Sequence, residues 1–257
     1  MNKYKDCDLY SYLKYIGYIE KLSICIPAWN AQDYIIECIL SIESQNYFKL
    51  NRNSYEILIG VDGCENTLSV LIENQHLFKN VRIFYSKKNK GTYYTQNSII
   101  NKTKYENVII FGADDIMEPC AIDYCLKYID NDIIGFKWKD FVNNDISTCG
   151  KLQGGNMSGV FCVKKKWWKK LNGFAPWTVG ADSDFRYRAR NANIKSILMS
   201  ECGFLRRIHS ESLTKSEKTG FKSDIRKEVI RKFNYNKKNK ITKLDKLYIN
   251  NDMKELD

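Results

Sequence analysis

Asp114 and Asp115 stand side by side at the end of an apolar run, in the stretch Ile110-Phe-Gly-Ala-Asp-Asp-Ile-Met-Glu-Pro119. Adjacent carboxylates repel one another, and a fold keeps them only where a cation or a set of donors compensates. A hard divalent cation bridging carboxylate and diphosphate is one such compensation. It would neutralise charge developing on a departing nucleotide. The other reading is local: Asp115 precedes residues 116–128 as a helix N-cap, with Pro119 tolerated only at an early helical position. These residues alone leave both readings open.

The elements that must position this pair alternate in type. Apolar runs at 21–27, 55–61, 81–85 and 107–111 read as short strands, the first ended by Pro27. Between them, residues 31–45, 65–79 and 92–102 carry apolar side chains at helical spacing, as in Ile35, Ile36, Ile39, Leu40 and Ile42. Short strands alternating with helices of about a dozen residues imply βαβ units and a parallel sheet. Ligands bind such sheets outside the carboxyl ends of the strands. Three polar groups fall there, namely Trp29-Asn30, Asp62 and Asp114-Asp115, so residues distant in sequence are expected to share one crevice. Further on, 132–138, 159–163 and 195–199 read as strands, and 164–171 and 182–191 as helices. No repeat and no Pro- or Gly-rich linker divides the chain. The expected organisation is an N-terminal arm or helix over 1–20, one α/β domain over 21–214, and a basic, mostly helical C-terminal extension over 215–257.

Composition narrows the classes. A chain of 257 residues, 44% hydrophobic and 28% charged, has enough apolar content for one substantial core. There is no apolar run long enough to span a bilayer, and residues 1–20 lack the continuous apolar stretch of a signal peptide, so a cytoplasmic location is expected. The nine cysteines are scattered without a Cys-x-x-Cys pair and read as free thiols; with only two histidines, a Cys/His metal cage is disfavoured. The net charge of +11 points to anionic partners: nucleotide phosphates, an acidic membrane surface or nucleic acid. Much of it lies beyond Lys215, where Ile225, Val229, Ile230 and Phe233 share a helical face ringed by Lys and Arg. That face could dock on the domain, lie on an anionic membrane, with the protein then peripheral to it, or, third, meet DNA.

Seven segments, in order, resemble glycosyltransferase family 2. Leu22-Ser-Ile-Cys-Ile-Pro-Ala-Trp-Asn30 resembles its opening strand, and Ile57-Leu-Ile-Gly-Val-Asp62-Gly its second strand. Asn89-Lys-Gly91 with Asn97 is similar to its Asn-x-Gly…Asn stretch, and Asp114-Asp115 with Pro119 to its Asp-x-Asp-Asp…Pro segment. Ser158-Gly-Val-Phe with Trp168 and Gly173-Phe174 resembles its acceptor-side strand and turn. Gly180-Ala-Asp182-Ser-Asp184-Phe with Arg188 resembles its Glu-Asp-x-Asp-Leu…Arg motif, and Arg206-Arg207-Ile-His209 with Ser212-Leu-Thr214 its terminal segment. Gly112 stands where the family's first Asp would be, Ala181 where its Glu would be, and Thr95-Gln96-Asn97 lacks the Arg that the family often places near the phosphates, for which Lys88 or Lys90 would substitute.

The resemblance implies a Rossmann-type, mostly parallel sheet flanked by helices (the GT-A fold). It also implies a metal-dependent, inverting transfer of a sugar from a nucleotide-sugar, a UDP-sugar above all. Pro27, Trp29, Asn30, Asp62, Lys90, Gly91, Asp114 and Asp115 would then contact the donor. Trp29 would pack on the base, Asp62 would accept from a pyrimidine imide, and Asp114 with His209 would hold Mn2+ or Mg2+. Asp182 would be the general base, with Asp184 its fallback on the acceptor side. Trp177 is the preferred acceptor contact, ahead of Trp167 and Trp168. The implied acceptor is a glycan or lipid-linked glycan. A modified DNA base, or a catalytically inactive binding module, are the competing expectations.

Overall fold

The computed structural model describes residues 19–154, 158–210, 219–220 and 222–256. The arm expected over 1–20 lies almost wholly outside them.

The first half folds as its pattern dictates. Strand β1 (Leu22–Ala28) leads to helices α1 (Ile35–Glu43) and α2 (Asn46–Leu50), β2 (Tyr55–Asp62) to α3 (Glu65–Glu73), and β3 (Val81–Ser86) to α4 (Thr92–Asn101), before β4 (Asn107–Ile110). All eight residues of β2 and six of the seven in β1 are buried, as a parallel sheet covered on both faces requires. Alternation splits them: Ile24, Ile26, Ile57 and Ile59 enter one core, and Cys25, Leu58, Val108 and Ile110 the other. Helix α4 lies close on β2, since a Cβ at Gly60 would stand 2.6 Å from the Thr95 methyl.

The second half contains β5 (Ile116–Met117), α5 (Ala121–Leu126), β6 (Ile133–Val142), β7 (Phe161–Lys164), α6 (Lys165–Lys170), α7 (Ala181–Asn191) and β8 (Ser196–Ile208). The C-terminal extension supplies α8 (Asp224–Lys238) and β9 (Lys254–Glu255). Among the described residues the sheet order is β5-β8-β6-β7-β4-β1-β2-β3-β9. Parallel pairing dominates, along β4-β1-β2-β3 and β6-β8; β7, β5 and β9 join antiparallel.

Two expectations are corrected. The strand read at 195–199 runs on to Ile208, irregular in register where β6 passes Gly135 and Lys137. The extension is not mostly helical: after α8 it is an irregular strap that returns across the α4 side of the sheet. Met253 enters the core, Asn250 bonds Ser98 and Ser86, and β9 closes the β3 edge. Of its apolar stripe, Phe233 docks against Tyr187 at 5.6 Å and Val229 beneath Gly180, while Ile225 and Ile230 stay exposed. No described helix is long and apolar enough to cross a membrane.

Candidate active site

The register Ala28↔Val61 between β1 and β2, and Cys25↔Ile110 between β1 and β4, sets three strand ends side by side. Pro27 lies beyond the last β1–β4 pair, where its missing N–H costs that ladder nothing. The chain leaves β1 through Trp29, 58% exposed, and Asn30, which adopts φ 53° in the left-handed region that Asn tolerates. At the end of β2, Asp62 is buried, its Oδ1 accepting from Lys90 N–H at 3.0 Å and its Oδ2 from Gly91 N–H at 2.7 Å. Its first task is therefore to fix the loop ahead of α4. Gly91, at φ 97°, makes the turn that a side chain would strain, and Lys90 is exposed.

Beyond β4 the two carboxylates part. Asp115 is buried and accepts from Arg207 N–H of β8 at 3.1 Å. Burial, and next the Asp114 charge, push its carboxyl well above the usual range. Its place among donor contacts is thus corrected: it is an internal brace between β8 and the turn after β4. The N-cap reading also falls, because residues 116–117 form β5 and the following helix starts only at Ala121, capped at Cys120. Gly112 is explained by the same brace. A Cβ there would lie 2.7 Å from Asp115 Oδ2, so a side chain at this position would evict it.

Asp114 turns outward, its side chain 35% exposed, and its Oδ2 lies 3.0 Å from His209 Nε2. His209 directly follows β8 and lies against the Tyr34 ring at 5.0 Å. The long β8 thus bridges 95 residues of sequence to join the two. Arg207, with its side chain 1% exposed, fixes the junction. Its Nε donates to the Asp114 carbonyl at 2.9 Å, while its other nitrogens reach Asn143 and Asn144 and the Glu37 carboxylate on α1. Arg207 and Glu37 were not singled out for any role in the sequence, since nothing in their spacing links them.

A carboxylate and a neutral imidazole form a donor set for Mn2+ or Mg2+. Among the described residues no group of three or more His, Cys, Asp or Glu side chains could hold a metal ion. Asp114 and His209 would therefore offer a cation two donors and leave its other positions to ligands from outside the protein.

On the other side, Gly180 at φ 75° starts α7, and the helix divides its charges between two flanks. Asp182 does not cap the helix. Its Oδ1 accepts from the Tyr93 hydroxyl of α4 at 2.8 Å and its Oδ2 from Arg186 at 3.1 Å, leaving the side chain 19% exposed. Burial and the Asp182 charge push the Tyr93 phenol up, so it remains a donor. Neither residue was singled out in the sequence: the i,i+4 spacing from Asp182 could have found Arg186, whereas Tyr93 carried no sequence signal. Ala181, fully buried, has no space for the Glu expected from the resemblance.

Asp184 is corrected. It is fully buried, paired with Arg188 at 2.7 Å, and its other oxygen accepts from Asn236 of α8 at 2.8 Å. Arg188 goes on to bind the carbonyls of Leu171 and Gly173. Asp184 is therefore neither an acceptor contact nor a spare base. Asn97 is likewise structural, clamping the Phe174 backbone and the Tyr248 carbonyl. Trp168 is core, whereas Trp177 is half-buried and borders the C-terminal extension. The eight described cysteines are free thiols.

A mostly parallel, helix-covered sheet with its polar residues gathered at the strand ends is the architecture of the GT-A transferases. Solved structures of that fold superimpose on it. Staphylococcus aureus TarS 1–349 in complex with UDP-GlcNAc does so with a TM-score of 0.62 at 18% identity, over 74% of this chain and 59% of that one. Mannosyltransferase PcManGT from Pyrobaculum calidifontis, in complex with GDP-Man and Mn2+, gives 0.61 at 14% identity, over 76% and 59%. The profile of Glycosyl transferase family 2 matches residues 23–146, just under half of the chain. Chondroitin synthase of Escherichia coli is 33% identical over 113 residues, 44% of this chain but only 16% of the synthase.

Proposed function

We propose that the protein transfers a sugar from a UDP-sugar to a hydroxyl of a glycan or lipid-linked glycan, inverting the anomeric carbon with the help of Mn2+ or Mg2+. The observation that carries this reading is the pairing of Asp114 with His209 at the carboxyl edge of β4, in a chain whose residues 23–146 match the family 2 profile. Names of similar proteins support it: TarS is solved with UDP-GlcNAc, PcManGT with Mn2+, and the chondroitin synthase builds a glycan.

The residues divide the work. Trp29 offers an exposed ring on which the base packs. Each Asp62 oxygen bonded to the loop keeps a second lone pair for a pyrimidine imide. Lys90, exposed on the loop that Asp62 holds, meets the phosphates. Asp114 and His209 would hold the cation, which when bound would supply positive charge to the departing diphosphate. Asp182 takes the proton of the acceptor hydroxyl as its oxygen bonds to the anomeric carbon and the bond from that carbon to the diphosphate breaks. Tyr93 and Arg186 keep the carboxylate aimed while that happens.

The test is a panel of UDP- and GDP-sugars, with nucleotide release followed with and without Mn2+. UDP release that rises with Mn2+ and disappears with chelator is expected. Preference for a GDP-sugar overturns the donor assignment. Nucleotide binding with no release from any donor, acceptor present or absent, makes the chain an inactive binding module.

A further inference from the structure

A cavity of about 280 Å3 opens between the loop that precedes α7 and the C-terminal extension. Trp177 borders it on the domain side; Lys232, Tyr235 and Asn236 of α8, then Leu244 and Tyr248 of the strap, complete it. The extension is held by the half-buried Val229, Phe233 and Asn236, which face α7, and by the strap, where Tyr248 meets Tyr94 and Met253 enters the core. Tyr235 stands 66% exposed beside the cavity.

The extension that borders the cavity is one-sided in charge, although Lys232, which lines it, is itself paired with Glu228 at 2.6 Å. Between Lys222 and Lys246 ten Lys and Arg face three Asp and Glu, so this stretch supplies seven of the eleven net positive charges. Because Val229 and Phe233 are already docked, no continuous apolar face remains for a bilayer; Ile225 and Ile230 are exposed singly. What remains is a concave surface with aromatic faces, hydrogen-bonding groups and an excess of positive charge. Aromatic rings stack on the C–H faces of sugars, and a positive rim selects anions. α4 links the cavity to Asp182: Tyr248, which lines the cavity, meets the Tyr94 ring edge-on at 6.2 Å, and the neighbouring Tyr93 donates to Asp182.

We propose that this cavity is an outer acceptor subsite that takes the sugars of a polyanionic glycan, Trp177 and Tyr235 stacking on the rings and the basic extension meeting its carboxylates or phosphodiesters. The assignment rests on the glycan-acceptor reading above. It gives the extension a task beyond closing the sheet: it grips the polymer while the terminal hydroxyl lies at Asp182.

The full chain is titrated with four probes at low and high salt: a hyaluronan octasaccharide, a poly(ribitol phosphate) octamer, neutral maltooctaose and single-stranded oligo-dT. Vesicles of phosphatidylglycerol and phosphatidylcholine form a fifth arm. At least one of the two charged glycans binds, more weakly as salt rises, while maltooctaose does not. The responding probe tells carboxylate from phosphodiester. Tyr235→Ala and Lys232→Gln each weaken that binding about fivefold. Melting temperature and UDP binding stay at wild-type values, because both side chains are exposed. The proposal is overturned if neither charged glycan binds, or if the double variant binds as well as the wild type. It is also overturned if oligo-dT or vesicles bind more tightly than either glycan with the same sensitivity to these variants. Donor turnover without glycan binding removes the subsite alone. Glycan binding without donor turnover removes the transferase reading and leaves a glycan-binding surface.

Discussion

Exchanging Asp182 and Asp184 separately for Asn separates chemistry from architecture in a single helix. The Asp184–Arg188 pair is wholly buried, so Asp184→Asn leaves a guanidinium without its counter-charge in the core. Breaking such a pair costs about 3–5 kcal/mol. Arg188 keeps its bonds to the Leu171 and Gly173 carbonyls, and Asn still offers an oxygen, which places the expected loss at the lower end, about 3 kcal/mol. For a chain of this size that lowers Tm by about 6–12 °C. Asp182 and Arg186 are 19% and 18% exposed, and losing their ion pair costs less than about 1 kcal/mol. Asp182→Asn should therefore melt close to the wild type while kcat falls by about 10²–10⁴, with donor affinity unchanged. The assay is calorimetric melting beside UDP release per folded molecule. Asp184→Asn, measured below its own Tm, should retain turnover of the same order as the wild type. The reasoning is refuted if Asp184→Asn melts within about 2 °C of the wild type, or if Asp182→Asn keeps full turnover.

Three further outcomes follow from the same geometry. Asp114→Asn should abolish Mn2+-dependent turnover and leave Tm unchanged or higher, since it removes the ligand and relieves repulsion on buried Asp115; wild-type turnover at saturating Mn2+ would show the metal assignment wrong. Tyr93→Phe removes the hydroxyl that aims Asp182 and should lower kcat roughly tenfold with donor KM unchanged, an effect of about one hydrogen bond; an unchanged kcat would make Tyr93 a packing residue only. A chain ending at Thr214 loses Met253 from the core, the strap bonds to Asn97 and Ser98, and the β9 cover of β3, and should be insoluble on expression; a soluble fragment melting near the full chain would contradict the role of the strap in the fold.

The parts of the fold that could be read from the sequence are those where one local signal decides the outcome. β1, β2 and β4 are short apolar runs buried on both faces, and their ends mark the crevice whichever way the rest packs. β5 and β9 have two residues each and exist only because β8 and β3 offer an edge, so no window of sequence could announce them. β8 hid its length in Glu201-Cys202-Gly203, a stretch with neither period 2 nor strong β propensity, held in place by β6 alongside it. Asp115 was misplaced for a related reason. Beside an outward Asp114 it looks like a second ligand, and only the Arg207 backbone, ninety-two residues away, shows that it points inward.

The two carboxylates of α7 show where the limit lies. At about 100° per residue, the apolar stripe of Ala181, Phe185 and Ala189 is flanked almost symmetrically, Asp182 and Arg186 on one side and Asp184 and Arg188 on the other. Both are i,i+4 pairs with the acid first, so propensity, pairing and amphipathicity rank them equally. What breaks the tie comes from elsewhere in the chain. The turn at Leu171 and Gly173 presents carbonyls to Arg188, and Asn236 of the extension covers Asp184, so that flank is sealed. The opposite flank meets Tyr93, a side chain that can orient a carboxylate without neutralising it, and stays partly open. A reactive carboxylate must keep an unsatisfied acceptor facing its substrate, whereas a structural one must have none. By that criterion the extension leaves Asp182 as the proposed base of α7, by burying the other candidate.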